Sequence, residues 1–206
     1  MDILMIFTLL ILLFSIIIHE IAHGSIAYSL GDPTAKDAGR LTLNPLKHLD
    51  PVGSILLPIF LAILGGPIIG WAKPVPINPM YFKDKRWGEL KVSLAGPLSN
   101  FSIALIFGLI IKFIALPESF ITIGAIVIFY NVALGIFNLI PIYPLDGSHV
   151  LFSLLSDRFY DFKVFMMQYG FILLLLLIFI IPNGLAWVFA IADKALSLFV
   201  GPGTVF

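Results

Sequence analysis

Residues 3–30 read ILMIFTLLILLFSIIIHEIAHGSIAYSL, and residues 3–18 of that stretch carry no charge. About 20 consecutive apolar residues cross a bilayer as a helix, so this run is the first membrane span. With the helix starting at Ile3, His19 lies roughly 24 Å along at about 1.5 Å per residue. In a ~30 Å hydrocarbon core that is still within the membrane, towards the far boundary. The run does not read as a cleavable signal, because Asp2 is the only charge ahead of it and no small-x-small site follows.

Composition agrees. Of 206 residues, 60% are hydrophobic and 12% charged, with mean hydropathy +1.07. Soluble domains carry roughly 25% charge, so polar surface here is too scarce to cover a soluble globule. Barrel strands alternate polar and apolar residues, whereas these runs are unbroken. The 12 basic and 12 acidic residues cancel without a basic stripe, which argues against nucleic acid as a partner. Cysteine is absent, removing disulfides, thiolate metal ligands and cysteine nucleophiles together.

Further apolar runs lie at about 52–70, 90–114, 120–140, 164–181 and 185–200. The expected fold is an all-α polytopic membrane protein of about five to six transmembrane or re-entrant helices. Residues 1–206 read as one integral membrane domain in the lipid bilayer. Lys36, Arg40 and Lys47 precede the 52–70 run, and Lys73, Lys83, Lys85, Arg86 and Lys91 follow it. Basic residues favour the cytoplasmic side. Both flanks being basic, a broken helix that dips in and returns fits Pro58, Gly65, Gly66 and Pro67. The competing reading is an ordinary crossing. The dipping arrangement puts the N-terminus outside.

Within the first span, IIIHEIAHGS sets His19 and His23 four residues apart, on one helix face one turn from each other. Both imidazoles can reach one zinc ion, and Glu20 can take a proton from water bound there. Two neutral histidines satisfied by neighbours would leave Glu20 unexplained at this depth. Catalytic zinc usually keeps three protein ligands. Asp146 is the leading candidate for the third. It ends an apolar run where Pro141 and Pro144 break the helix and Gly147 permits a tight turn. Its alternatives are a helix N-cap role and displacement by His149 as ligand. Asn100 follows Gly96-Pro97 and Asn138 precedes Pro141; each suits either helix–helix hydrogen bonding or a substrate backbone. In WAKPVPIN, β-branched residues alternate around prolines; the readings are an edge strand at 71–78 or a proline-rich loop.

HEIAH in the first span, AGPLSN at 95–100 and NLIPIYPLDG at 138–147 together resemble the site-2 protease family of intramembrane zinc metalloproteases. LGDPTAKDAGRLTLNPLKHLDPVG and GWAKPVPINP are similar to its compact prokaryotic branch, without PDZ or CBS domains. The resemblance covers roughly residues 15–160. It implies one zinc per chain held by His19, His23 and Asp146, with Glu20 catalytic. It also implies that Asn100 and Asn138 position substrate or the oxyanion, and that a short membrane-associated strand or hairpin pairs with substrate. The implied activity is endopeptidase cleavage within or near transmembrane segments of other membrane proteins, in a prokaryotic cell membrane. Ser148 stands where the family often has a second glycine. The rival class is a membrane metal transporter or metal-dependent binding protein, which would call for more polar residues along several spans.

Overall fold

The computed structural model describes residues 3–56, 60 and 72–201. The apolar runs become helices α1 (Ile3–Ser29), α3 (Gly88–Phe113), α4 (Glu118–Asn138), α6 (Tyr160–Phe179) and α7 (Ala186–Val200). Two short helices, α2 (Thr34–Asp37) and α5 (Asp146–Leu154), sit in the polar connections. α1, α3, α4 and α6 with the turn before it are each long and apolar enough to cross a membrane. The protein is therefore a multi-pass membrane protein. At 15 residues, α7 is about 22 Å long and falls short of the hydrocarbon thickness. Four helices of spanning length are thus seen among the described residues, against the five to six transmembrane or re-entrant helices expected. Pro51–Leu56 forms a π-helical turn. The rest of the expected dipping segment lies outside the described residues, apart from Phe60.

Helix α3 is the central element, packed against α1, α4, α5 and α7. Its neighbours approach closely because small residues face them, as is usual between membrane helices. The Phe101 ring sits over Gly135 of α4, and the Phe199 ring over Gly108 of α3; a Cβ at either glycine would lie 2.5 to 2.7 Å from the ring. The main core joins Ala104, Ala125, Ile128, Val132 and Ala133 to Leu174, Val188, Ala192 and Leu196. Ser15, His19, His23 and Ala27 recur every four residues and form the buried face of α1. The early part of α1 is different, with Ile3, Leu4, Phe7 and Leu10 all exposed, as expected for lipid-facing side chains.

The expected edge strand at 71–78 does not pair as a strand: residues 72–78 form no ladder with any described segment. The reason is in the sequence. Pro74 and Pro76 carry no N–H and remove the donors along one edge, while Lys73 and Val75, each preceding a proline, are biased to extended backbone and spend their N–H groups on His48 and Glu20. The segment is an extended strap, tied down by scattered bonds to loops and side chains instead.

Candidate metal centre

His19 and His23 lie on the inner half of α1, both buried, with their Nε2 atoms 3.0 Å apart. Asp146 Oδ2 stands 3.0 Å from His19 Nε2 and 3.2 Å from His23 Nε2. Local chain geometry delivers the carboxylate. After α4 ends, a turn closed by Ile142 and Leu145 amides reverses the chain, and Asp146 opens α5. Asp146 is the first helical residue rather than the N-cap, and no side chain caps that helix. Gly147 lets the turn press home, since a Cβ there would meet the Leu139 carbonyl oxygen at 2.2 Å.

The other ring nitrogens decide which way the lone pairs point. Asn100 donates its amide N–H to Asn131 Oδ1 at 2.9 Å and towards the Ser15 carbonyl at 3.4 Å. Its oxygen therefore faces His19, and His19 Nδ1–H donates to it at 2.7 Å. His23 Nδ1–H donates to the Val92 carbonyl at 2.7 Å. In the neutral imidazoles each Nε2 then carries the lone pair, facing the other Nε2 and a carboxylate. Three lone-pair donors this close repel unless a cation lies among them. Ligands about 2.05 Å from a tetrahedral zinc stand about 3.3 Å apart, close to the observed spacings. Space is reserved as well: a Cβ on Gly96 of α3 would fall 2.3 Å from His23 Nε2 and 2.5 Å from the His19 ring. The residues fit a zinc ion.

A cleft of about 410 Å³ opens onto these groups and is also lined by Glu20, Val75, Asn138 and His149. His149 is on its wall but outside the three-residue group. Glu20 Oε2 accepts the Val75 N–H at 2.7 Å. Asn138 faces the cleft and donates its amide N–H to Leu134 at 3.0 Å. Asn100 does not line it. That side chain is 0% exposed, lodged behind His19 between α1, α3 and α4.

Sequence reasoning passed over Ser15 and Asp32, and read Asn131, seven residues before Asn138, as helix packing only. Ser15 and Asn131 complete the network behind His19, Asn131 donating to Ser15 Oγ at 2.9 Å. Ser15 stands one helical turn before His19, a signal the sequence carried. Asp32, fully buried below α1, accepts from the Thr34 hydroxyl, from Thr34 N–H at 3.0 Å and from Asn78 N–H at 2.7 Å. Burial pushes its pKa up. The Thr34 hydroxyl, followed by the Asn78 and Thr34 amides, outweighs this and holds the carboxyl below its ordinary value.

Helical spans and a buried two-histidine, one-carboxylate site define a polytopic membrane protein built around a metal centre. Residues 114–177 match the model of peptidase family M50. The chain is 40% identical over 190 residues to a Bacillus subtilis (strain 168) protein named "Putative zinc metalloprotease YwhC", covering 88% of this chain and 83% of that one. It is 33% identical to "Putative zinc metalloprotease Rip2" of Mycolicibacterium smegmatis, covering 86% and 68%. The chain belongs to peptidase family M50. No solved structure matches it. The names of these relatives and the donor set agree on zinc as the metal.

Proposed function

We propose that this protein is a zinc-dependent endopeptidase of the site-2 protease type, cutting peptide bonds within or near transmembrane segments of other membrane proteins. His19, His23 and Asp146 hold the ion, one per chain. When bound, zinc polarises the scissile carbonyl and brings the pKa of water towards ~7. Glu20 accepts the proton of the attacking water and passes it to the leaving amine. Asn138, on the cleft wall, donates to or accepts from the substrate backbone. Asn100 acts on substrate only through His19. A transmembrane helix hides its carbonyls in its own hydrogen bonds, so the substrate unwinds before it is cut. Residues 1–206 work as one domain in a prokaryotic cell membrane, with the cleft on the cytoplasmic side.

The observation that carries this reading is the convergence of both Nε2 atoms on the Asp146 carboxylate, with Asn100 and Val92 bonded to the rings from behind. Family membership supplies the peptidase chemistry. The test is Glu20→Gln. That variant is expected to keep one zinc per chain and to lose cleavage of single-span proteins co-reconstituted with it. Zinc loss, or proteolysis at the unmodified rate, refutes the role of Glu20.

A further inference from the structure

The strap at 72–78 runs along the cleft, and its anchors among the described residues can be named. At one end Lys73 is gripped on both sides of its peptide unit. Its N–H donates to the His48 carbonyl at 2.9 Å, and its carbonyl accepts from Arg40 Nη2 at 2.5 Å. At the other end Asn78 N–H donates to Asp32. Between them Val75 N–H donates to Glu20, and the Val75 side chain is buried above Gly24. Pro74 fixes a φ angle within the link from Lys73 to Val75, and Pro76 restricts the backbone of Val75 itself.

Arg40 is the unusual member. It is 5% exposed, its Nε has no hydrogen-bond partner, and it has no ion pair with any described carboxylate. A buried charge without a counterion is costly. An aliphatic side chain would fill the same space at less cost, so packing does not account for it. What the guanidinium supplies is a charge-assisted bond to one backbone carbonyl, roughly twice as strong as a neutral one.

We infer that Arg40 is a positioning residue for Glu20, acting through the strap: Arg40 fixes the Lys73 carbonyl, the proline-stiffened link fixes Val75, and the Val75 N–H fixes one oxygen of the Glu20 carboxylate. The second oxygen is left for the proton. A base held this way needs no search for its productive rotamer, which is where oriented catalysis gains its rate. The inference rests on the assignment of Glu20 as proton acceptor.

The test uses the full chain in proteoliposomes. Its probe is whichever quenched-fluorescent single-span peptide, from a panel, the unmodified protein cleaves fastest. Arg40→Gln is expected to keep its zinc, to exchange the Val75 amide hydrogen about tenfold faster or more, and to lose about tenfold or more in kcat with KM little changed. Arg40→Lys, which retains a charged donor, restores most of the protection and of kcat. A second pair isolates the amide itself: Val75→Pro, which removes the N–H, is expected to be about tenfold slower than Val75→Ala, which keeps it. Unchanged Val75 exchange and kcat in Arg40→Gln overturn the inference, as does a loss confined to KM. If Arg40→Gln fails to fold, equal rates for the two Val75 variants overturn it. Glu20→Gln, run alongside, separates the two failures. Full cleavage by Glu20→Gln refutes the base assignment, whereas full cleavage by Arg40→Gln with Glu20→Gln inactive refutes the strap alone.

Discussion

Asn100 Oδ1 lies 2.7 Å from His19 Nδ1, on the side of the ring away from Asp146. Of the two uses the sequence offered this amide, helix–helix hydrogen bonding or substrate, the contact seen is with a histidine of the neighbouring helix. By accepting the Nδ1 proton it settles the tautomer, and Asn131 and Ser15 hold it in turn. Partners of this kind commonly carry a 10–100-fold effect on metal affinity. Asn100→Ala should weaken zinc binding by about that factor. Competition with a chelator of known affinity measures it, and at saturating zinc most of the lost activity should return. Activity that stays low with zinc fully bound would instead place Asn100 on the substrate.

Gly96 offers a sharper test of the ion's place. A methyl group there projects to within 2.3 Å of His23 Nε2, and it is attached to the backbone of α3, which cannot swing aside. Gly96→Ala should therefore abolish stoichiometric zinc while leaving helix content unchanged, since alanine favours a helix. Metal analysis together with circular dichroism reads both. Full zinc occupancy in this variant would show that the ion sits elsewhere.

Asp32 governs a pH dependence outside the spans. Its carboxyl is held below the ordinary value, and unfolding frees it to titrate normally. The sign follows from linkage: an unfolded state that binds the proton more readily loses ground as pH rises. The contribution of Asp32 is complete above the unfolded pKa of about 3.9 and is lost as pH falls through the lower folded value. Asp32→Asn should be less stable than the unmodified chain at neutral pH, with the gap closing towards pH 3. Thermal melts in detergent across that range check it, and a gap that widens on acidification would be contrary.

The grouping of His19, His23 and Asp146 was legible because its signals are local. A four-residue spacing of histidines fixes a shared helix face, and a proline-broken turn ending in Asp-Gly marks where a carboxylate leaves a span. The long helices were legible for the same reason, each written as a largely apolar run with few charges. What the sequence concealed depends on contacts between distant segments. Val75 meets Glu20 across 55 residues, and Asn131 meets Ser15 across 116. No periodicity encodes such a meeting. Asn100 suited either a neighbouring helix or a substrate, and its partner is set by the crossing of α1 with α3. The strand at 71–78 was read from β-branched alternation around prolines; residues 72–78 pair with no described segment, and Pro74 and Pro76 remove the donors along one edge.

His23 and Asp146 are separated by 123 positions in the chain. An ion seated between them is therefore a cross-link as well as a reagent. It staples the opening helix to a turn that follows three of the four spans, closing a very long loop. Binding of this sort adds directly to the folding equilibrium. Stripping the metal would then loosen how the bundle closes on itself, and the apoprotein would melt earlier and become easier to digest.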